Sequence, residues 1–181
     1  MKACVLLSGG PDSILALQFA LSTTLETVAL WVDYGQPARI QERAHATNAA
    51  QTLGVPLMTA YVQLQLNAMG DSDGVSGPRI VPARNAVLLS LAVNHVEADL
   101  YFIGACAADT EYPDCQPEFF EAMSAALSLA AGRQVRVVAP LQTMTKAEIL
   151  SRVAVPSWSC YTPINGNPCR TCNSCKIRGD R

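Results

Sequence analysis

Two short stretches of this chain hold residues whose types and spacing could do chemistry. The first is Ser8-Gly9-Gly10-Pro11-Asp12-Ser13, which follows the apolar run from Lys2 to Leu7. Two glycines let a backbone turn closely around an anion. The Ser8 and Ser13 hydroxyls, with exposed N–H groups at a helix start, can then hold a phosphate or pyrophosphate. Asp12 would repel such an anion unless it faces Mg²⁺ or a proton, so its charge fits a metal-bridging role. The plainer alternative is a tight turn with an ordinary Ser/Asp helix cap. Because the pattern is neither GxxxxGK[ST] nor GxGxxG, Walker-type GTPases and dinucleotide-binding folds lose ground.

The second stretch is rich in cysteine. Cys169, Cys172 and Cys175 form C-x₂-C-x₂-C, and Cys160 can return across the Pro163-to-Pro168 loop as a fourth ligand. Four thiolates suit a tetrahedral Zn²⁺, and a saturated shell makes the ion structural because no position stays open for water. An iron–sulfur cluster is the rival, since the spacing also matches part of a ferredoxin run. Unligated core cysteines are a third reading, disfavoured by the loop-forming run Asn165-Gly166-Asn167-Pro168. Cys4 reads as packing in the first strand, and Cys106 carries no clear signal.

Alternating strand and helix signals must position these stretches. Lys2 to Leu7 reads as a buried strand, and a helix begins at Asp12 or Ser13. Thr27 to Val32 is a second strand, ending at Asp33-Tyr34-Gly35-Gln36. Residues 38–53 form a polar helix stopped by Gly54, and Leu57 to Val62 gives another strand. A loop over 67–81 precedes a helix from Ala83 to about Ala98. Leu100 to Ala105 is a strand, a strong helix follows Pro117, Gln134 to Val138 returns to β, and Lys146 to Val153 is a short helix. The remainder reads as an irregular tail. Such alternation predicts a parallel α/β sheet covered by helices on both faces. The expected organisation is one α/β nucleotide domain over 1–156, with a zinc-binding tail over 157–181 packed on it.

Composition narrows the partners. Thirteen Lys and Arg against fifteen Asp and Glu give a net charge of -2, which offers no excess of basic charge for bulk nucleic-acid binding. Seven cysteines, an odd number with four crowded near one end, fit a reducing cytoplasm better than a disulfide-stapled secreted domain. No apolar stretch reaches the roughly 18 residues that suggest a membrane span.

The SGGxDS element resembles the signature of the PP-loop ATP pyrophosphatase, or adenine-nucleotide α-hydrolase, group. Taken with VDYGQ at 32–36, VPARN at 81–85, YPDCQPEFFEAM at 112–123, TKAEI at 145–149 and SWSCYTPINGNPCRTCNSC at 157–175, it is similar to the 7-cyano-7-deazaguanine (preQ0) synthase family. VPARN stands where the family usually has VPGRN. The resemblance implies a flavodoxin-like parallel sheet and ATP-dependent conversion of 7-carboxy-7-deazaguanine and ammonia to a nitrile, through adenylated carboxylate and amide. It implies a homodimer, and ATP, Mg²⁺ and Zn²⁺ as bound species.

Carried onto this chain, the resemblance places the nucleotide and its Mg²⁺ against Leu7, Ser8, Gly9, Gly10, Pro11, Asp12 and Ser13. Asp33 and Tyr34 are taken as further nucleotide contacts and Gln36 as a substrate contact, although either ligand could border that rim. Arg84 could clamp a phosphate or the substrate carboxylate, or simply be a solvated helix-terminal residue. Lys146 is set to neutralise pyrophosphate, against ordinary surface charge. Asn85 either orients substrate or caps its helix. Asp114 either accepts from a guanine-like edge or caps the helix entered through Pro117. Cys115 either touches substrate or packs, and His45 and His95 are expected to be packed or solvated. Two other functions stay open: a PP-loop enzyme that thiolates or amidates a tRNA base, and a non-catalytic zinc-containing nucleotide-binding module.

Overall fold

In the computed structural model, residues 1–24, 26–66 and 81–179 are described. The loop expected over 67–81 therefore lies, apart from Val81, outside the described residues. Five parallel strands form one sheet in the order β3-β2-β1-β4-β5. They are β1 (Lys2–Leu6), β2 (Glu26–Asp33), β3 (Leu57–Tyr61), β4 (Leu100–Phe102) and β5 (Arg136–Val138). The expected parallel, helix-covered sheet is present. Its order is 3-2-1-4-5 where flavodoxin itself has 2-1-3-4-5, so the reversal falls between β1 and β4.

Strand alternation divides the core into two layers. Cys4 and Leu6 of β1 face Leu89 and Ala92 of α3 (Arg84–His95) and Phe120 and Leu127 of α4 (Pro117–Ala131). Ala3, Val5 and Leu7 point the other way. They meet Ile14, Ala16 and Leu17 of α1 (Pro11–Thr23) and Ala46, Ala49 and Ala50 of α2 (Arg39–Thr52). The small residues of α2 let that helix lie close to the sheet, which explains how a polar sequence forms a packed layer. A third cluster joins Leu15 of α1 to Ile149 of α5 (Lys146–Arg152). Cys4 is fully buried in the first of these layers.

Helix boundaries correct the sequence reading in three places. Proline at the first helical position starts α1 at Pro11, one turn-residue earlier than expected, because its fixed φ suits a helix start. The helix expected over 83–98 ends at His95, after which Val96 turns extended. The tail is not wholly irregular, since Asn173–Arg178 forms a short helix, α6. Among the described residues no helix is long and apolar enough to cross a membrane.

Ala83 sits immediately before α3 in the left-handed region, at φ 57 and ψ 20. A Cβ there costs roughly 1–2 kcal/mol that glycine would avoid. Replacing Ala83 with Gly should therefore stabilise the protein by about 0.5–1 kcal/mol, once glycine's larger unfolded-state entropy is subtracted. Equilibrium urea denaturation measures this, and an unchanged or lower midpoint would refute the strain.

Candidate active site and metal centre

At the carboxyl ends of the strands a cavity of about 640 Å³ opens between the sheet and the cysteine-rich tail. That size lies within the usual range for small-molecule sites. The loop after β1 forms one end of it. Ser8 Oγ donates to Ser13 Oγ at 3.1 Å, and Ser13 Oγ donates to the Gly10 carbonyl at 2.9 Å. The Gly10 N–H reaches Ser8 Oγ at 3.3 Å, so the two hydroxyls lock the loop from inside. Among the described residues no side chain caps α1. Its first-turn N–H groups at Asp12 and Ser13 are thus available to an anion at the positive end of the helix.

Glycine is required here by contact as well as by conformation. Gly9 has φ +82, and a Cβ on it would lie 2.5 Å from the Glu42 carbonyl oxygen and 2.7 Å from the Ala46 nitrogen. The loop is therefore pressed against the backbone of α2. Gly104, just past β4, makes the equivalent approach on the other side: its Cβ would lie 2.7 Å from Asp12 C and Ser13 N. Sequence reading did not single out Gly104. A glycine inside the strand read over Leu100 to Ala105 was the available signal.

Lys146, at the start of α5, reaches back to Asp12 with Nζ 2.6 Å from Oδ2. A capping box between Thr145 and Glu148 fixes the start of α5 and hence the lysine. Burial disfavours charge on Lys146, but the adjacent Asp12 carboxylate outweighs it and holds the ammonium above its usual range. Burial likewise pushes Asp12 up, Lys146 draws it back only in part, and the nearby Asp109 carboxylate adds to the rise. Among the described residues Asp12 Oδ1 is buried with no hydrogen-bond partner. A carboxylate oxygen in that condition fits a divalent cation.

The opposite wall is built around Arg84, the first residue of α3. Its Nε donates to Asn85 Oδ1 at 3.3 Å. Burial disfavours the guanidinium, yet Tyr34, Asp114 and Cys115 around it keep it firmly charged. Tyr34 lies beside it, and burial pushes that phenol up to about 12 despite the arginine. Gln36 is 4% exposed and internally committed. Its Oε1 accepts from the Tyr34 N–H at 2.9 Å, and its Nε2 donates to the Val32 carbonyl at 3.1 Å and Glu42 Oε2 at 2.8 Å.

Asp114 caps a helix other than the one the sequence suggested. Its Oδ2 accepts from the Asn85 N–H at 2.9 Å, so it caps α3 from 29 residues away and not α4. Asn85 returns the contact by donating Nδ2 to the Asp114 carbonyl at 2.8 Å and to Cys115 Sγ at 3.3 Å. The cavity wall includes Leu7, Ser8, Gly10, Pro11, Asp12, Ser13, Tyr34, Gln36, Arg84, Asn85, Cys115 and Lys146. Gly9, Asp33 and Asp114 stand behind it. Asp33 Oδ1 accepts from the Gly35 N–H at 3.0 Å and so shapes the turn that presents Tyr34. Glu42 and Asp109 also line the wall, although first-turn and loop acids give no local sign of that.

His45 packs its ring against Trp158, with centroids 5.6 Å apart, and its Nδ1 lies 2.8 Å from the Gln41 carbonyl. His95 makes the corresponding contact with Leu91 at 2.9 Å. His45 is half-buried and His95 exposed, each hydrogen-bonded to its own helix.

Cys160, Cys169, Cys172 and Cys175 converge so that their sulfurs all lie within 4.8 Å of one another. A tetrahedral zinc site with bonds of about 2.3 Å has sulfur–sulfur edges of about 3.8 Å. Cys169 and Cys175 already stand at 4.0 Å. An iron–sulfur cube, with irons and sulfides in its middle, needs its thiolates farther apart, so the quartet fits a single ion. Burial opposes ionisation of Cys169, but hydrogen bonds from Thr171, the Cys172 backbone and Thr162 bring it down to about 5.

Cys115 is the one cavity thiol outside this quartet whose reactivity the surroundings define. Burial, then the Asp109 and Asp114 carboxylates, push it up to about 12. Its thiolate is therefore scarce at neutral pH, which leaves it unsuited to nucleophilic catalysis. Iodoacetamide at pH 8 should alkylate Cys115 at least tenfold more slowly than a free cysteine, even after allowing for the greater nucleophilicity of a basic thiolate. The rate should climb steadily through pH 10. Peptide mass spectrometry reads both, and a rate plateau below pH 9 would contradict the assignment.

Comparison with known proteins adds the lineage. Residues 2–180 match the family described as queuosine biosynthesis protein QueC. The chain is 38% identical over 207 residues to a 7-cyano-7-deazaguanine synthase of Rhizorhabdus wittichii, covering 98% of this chain and 89% of that protein. It is 40% identical over 208 residues to the same-named protein of Ralstonia pickettii, covering 98% and 92%. Among solved structures it is similar in fold to an NMN synthetase from Francisella tularensis, with TM-score 0.56 and 17% identity over 97% of this chain and 74% of the other. A predicted tRNA methyltransferase subunit from Methanocaldococcus jannaschii gives TM-score 0.57 and 15% identity over 85% and 74%. The 2–180 match takes in the phosphate loop, both cationic side chains and the cysteine quartet together, and on that ground the chain belongs to the QueC family.

Proposed function

We propose that this chain is an ATP-dependent ligase that converts 7-carboxy-7-deazaguanine and ammonia to 7-cyano-7-deazaguanine. The observation that supports it best is one cavity with two unlike cationic ends. Lys146, Asp12 and an uncapped helix start lie at the first, and Arg84, without a carboxylate in salt-bridge contact among the described residues, lies at the second. Such a site suits a polyphosphate and a separate small carboxylate.

The chemistry needs both ends. A carboxylate is a poor electrophile for ammonia, so its oxygen attacks the α-phosphorus of ATP, forming an acyl-adenylate and releasing pyrophosphate. Ammonia then attacks the acyl carbon, AMP leaves, and a proton passes to solvent, giving the amide. The amide oxygen is adenylated by a second ATP, and loss of AMP with the nitrogen's protons yields the nitrile. Each nitrile thus accompanies two AMP and two pyrophosphate.

In this reading the Ser8–Ser13 loop and the α1 amides bind the phosphates, and Lys146 balances the pyrophosphate as it leaves. Arg84 orients the substrate carboxylate, with Asn85 and Tyr34 holding the arginine in place. Mg²⁺ on Asp12, when bound, would offset charge building on the phosphates. Zn²⁺ on the cysteine quartet ties the tail and takes no part in bond making. Ammonia as the nitrogen donor and a homodimeric assembly belong to the same reading.

The decisive assay uses metal-quantified protein with Mg-ATP, ammonium and 7-carboxy-7-deazaguanine. Mass spectrometry should find the nitrile with two AMP for each. Turnover of a tRNA substrate without nitrile would overturn the proposal. Asp12→Asn and Lys146→Met should each lower kcat on the order of 10²–10³-fold with the fold intact by circular dichroism. Cys169→Ser should lose zinc and thermal stability, and full zinc content in that variant would argue against its role as a ligand.

A further inference from the structure

The zinc-binding tail does more than end the chain, because it supplies a wall of the cavity. Trp158, Ser159, Tyr161, Asn173, Lys176 and Ile177 all line it. The wall is fastened at both edges. The Trp158 N–H donates to the Gly9 carbonyl at 2.9 Å, joining the tail to the phosphate loop. The Trp158 indole N–H donates to the Cys160 carbonyl at 2.7 Å, joining the wall to a metal ligand. Cys160 itself lies between Ser159 and Tyr161. Any metal drawing in Cys160 therefore sets the position of both neighbours.

Tyr161 is the wall residue placed to matter most. It is 46% exposed, while the adjacent Cys160 is 2% exposed and anchored among the other cysteines. It lines the same cavity as Arg84, Tyr34 and Tyr112. Three phenols from three separate segments thus share one cavity with the Arg84 guanidinium. The cysteines and Trp158 form their own small apolar cluster, separate from the three that hold the sheet and helices together. The sheet and its helices can consequently stand while the wall shifts.

Resting on the functional reading above, we infer that Tyr161 is a substrate-contacting residue whose position the cysteine-bound metal sets. A planar carboxylated heterocycle is the ligand class it fits, with its ring against the phenol and its acid toward Arg84. The metal is then a positioning element for one substrate and largely indifferent to the nucleotide, whose phosphates meet the loop at the other end.

Equilibrium titrations on zinc-loaded protein test this, using 7-carboxy-7-deazaguanine alone and, separately, a non-hydrolysable ATP analogue. Tyr161→Ala should weaken the acid at least tenfold, leave the nucleotide within about twofold, and retain one zinc per chain. Tyr161→Phe keeps the ring and should stay within about threefold of wild type. Stripping the zinc from wild type should reproduce the loss seen in Tyr161→Ala, and stripping it from Tyr161→Ala should add little. That non-additivity separates positioning through Tyr161 from a general loss of structure. Equal acid affinity in wild type and Tyr161→Ala, or parallel loss of acid and nucleotide on zinc removal, would overturn the inference. Wild-type protein that binds the nucleotide but not the acid would instead bring down the functional reading, and this ligand assignment with it.

Discussion

The close backbone approach of Gly9 to α2 and of Gly104 to the start of α1 is the constraint on which the site depends. Neither contact leaves room for a Cβ, so side-chain repacking offers no escape: the atoms opposite are backbone. Together they fix where α1 begins and how its first turn faces the cavity. The Ser8–Ser13 hydroxyl bridge then settles the loop within that frame. Lys146 meets Asp12 only because α1 starts there, and Trp158 meets Gly9 only because the loop is held against α2.

Around this frame the polar groups divide into those already satisfied and those left for a ligand. Gln36 gives both ends of its amide to the protein, and Asp114 gives an oxygen to the start of α3. These residues hold the wall without needing to touch what it binds. Asp12 keeps one buried oxygen without a partner. Leaving a buried carboxylate oxygen unmatched costs free energy, and a bound cation is the kind of partner that recovers it. The division explains why residues of equal chemical interest in the sequence end up with different standing in the structure.

Much of the fold was legible, since the continuous apolar run in Lys2–Leu6 and the three- and four-residue spacing in Pro117–Ala131 are local signals. The cysteine quartet was legible too, because its last three members lie three residues apart and a loop-forming run separates them from Cys160. What escaped was set by contacts distant in sequence. Nothing near Asp114 reveals that it caps a helix 29 residues earlier, and Gly104 looks like any glycine after a strand until the start of α1 is packed against it. Glu42 reads as an ordinary first-turn acid, favourable to the helix dipole, until Gln36 turns it toward the cavity. The Ala at position 83 was visible in VPARN, but its left-handed backbone was not, because only the turn into α3 demands it.

The two half-buried cations show why a net charge of -2 says little about what this site attracts. Lys146 arrives already neutralised by Asp12, so an incoming polyphosphate must share it with a carboxylate. Sharing becomes favourable when another cation takes up Asp12, which links anion binding at the loop to cation binding at the same residue. Arg84 faces no such competition. Its neighbours are phenols, a thiol, an amide and an aspartate whose oxygen is turned to the α3 amide. A guanidinium held charged in that setting carries a standing desolvation cost, which a planar carboxylate can offset through paired hydrogen bonds without displacing a resident partner. On the proposed function, one end of the cavity suits an anion that brings its own cation, and the other an anion that comes alone.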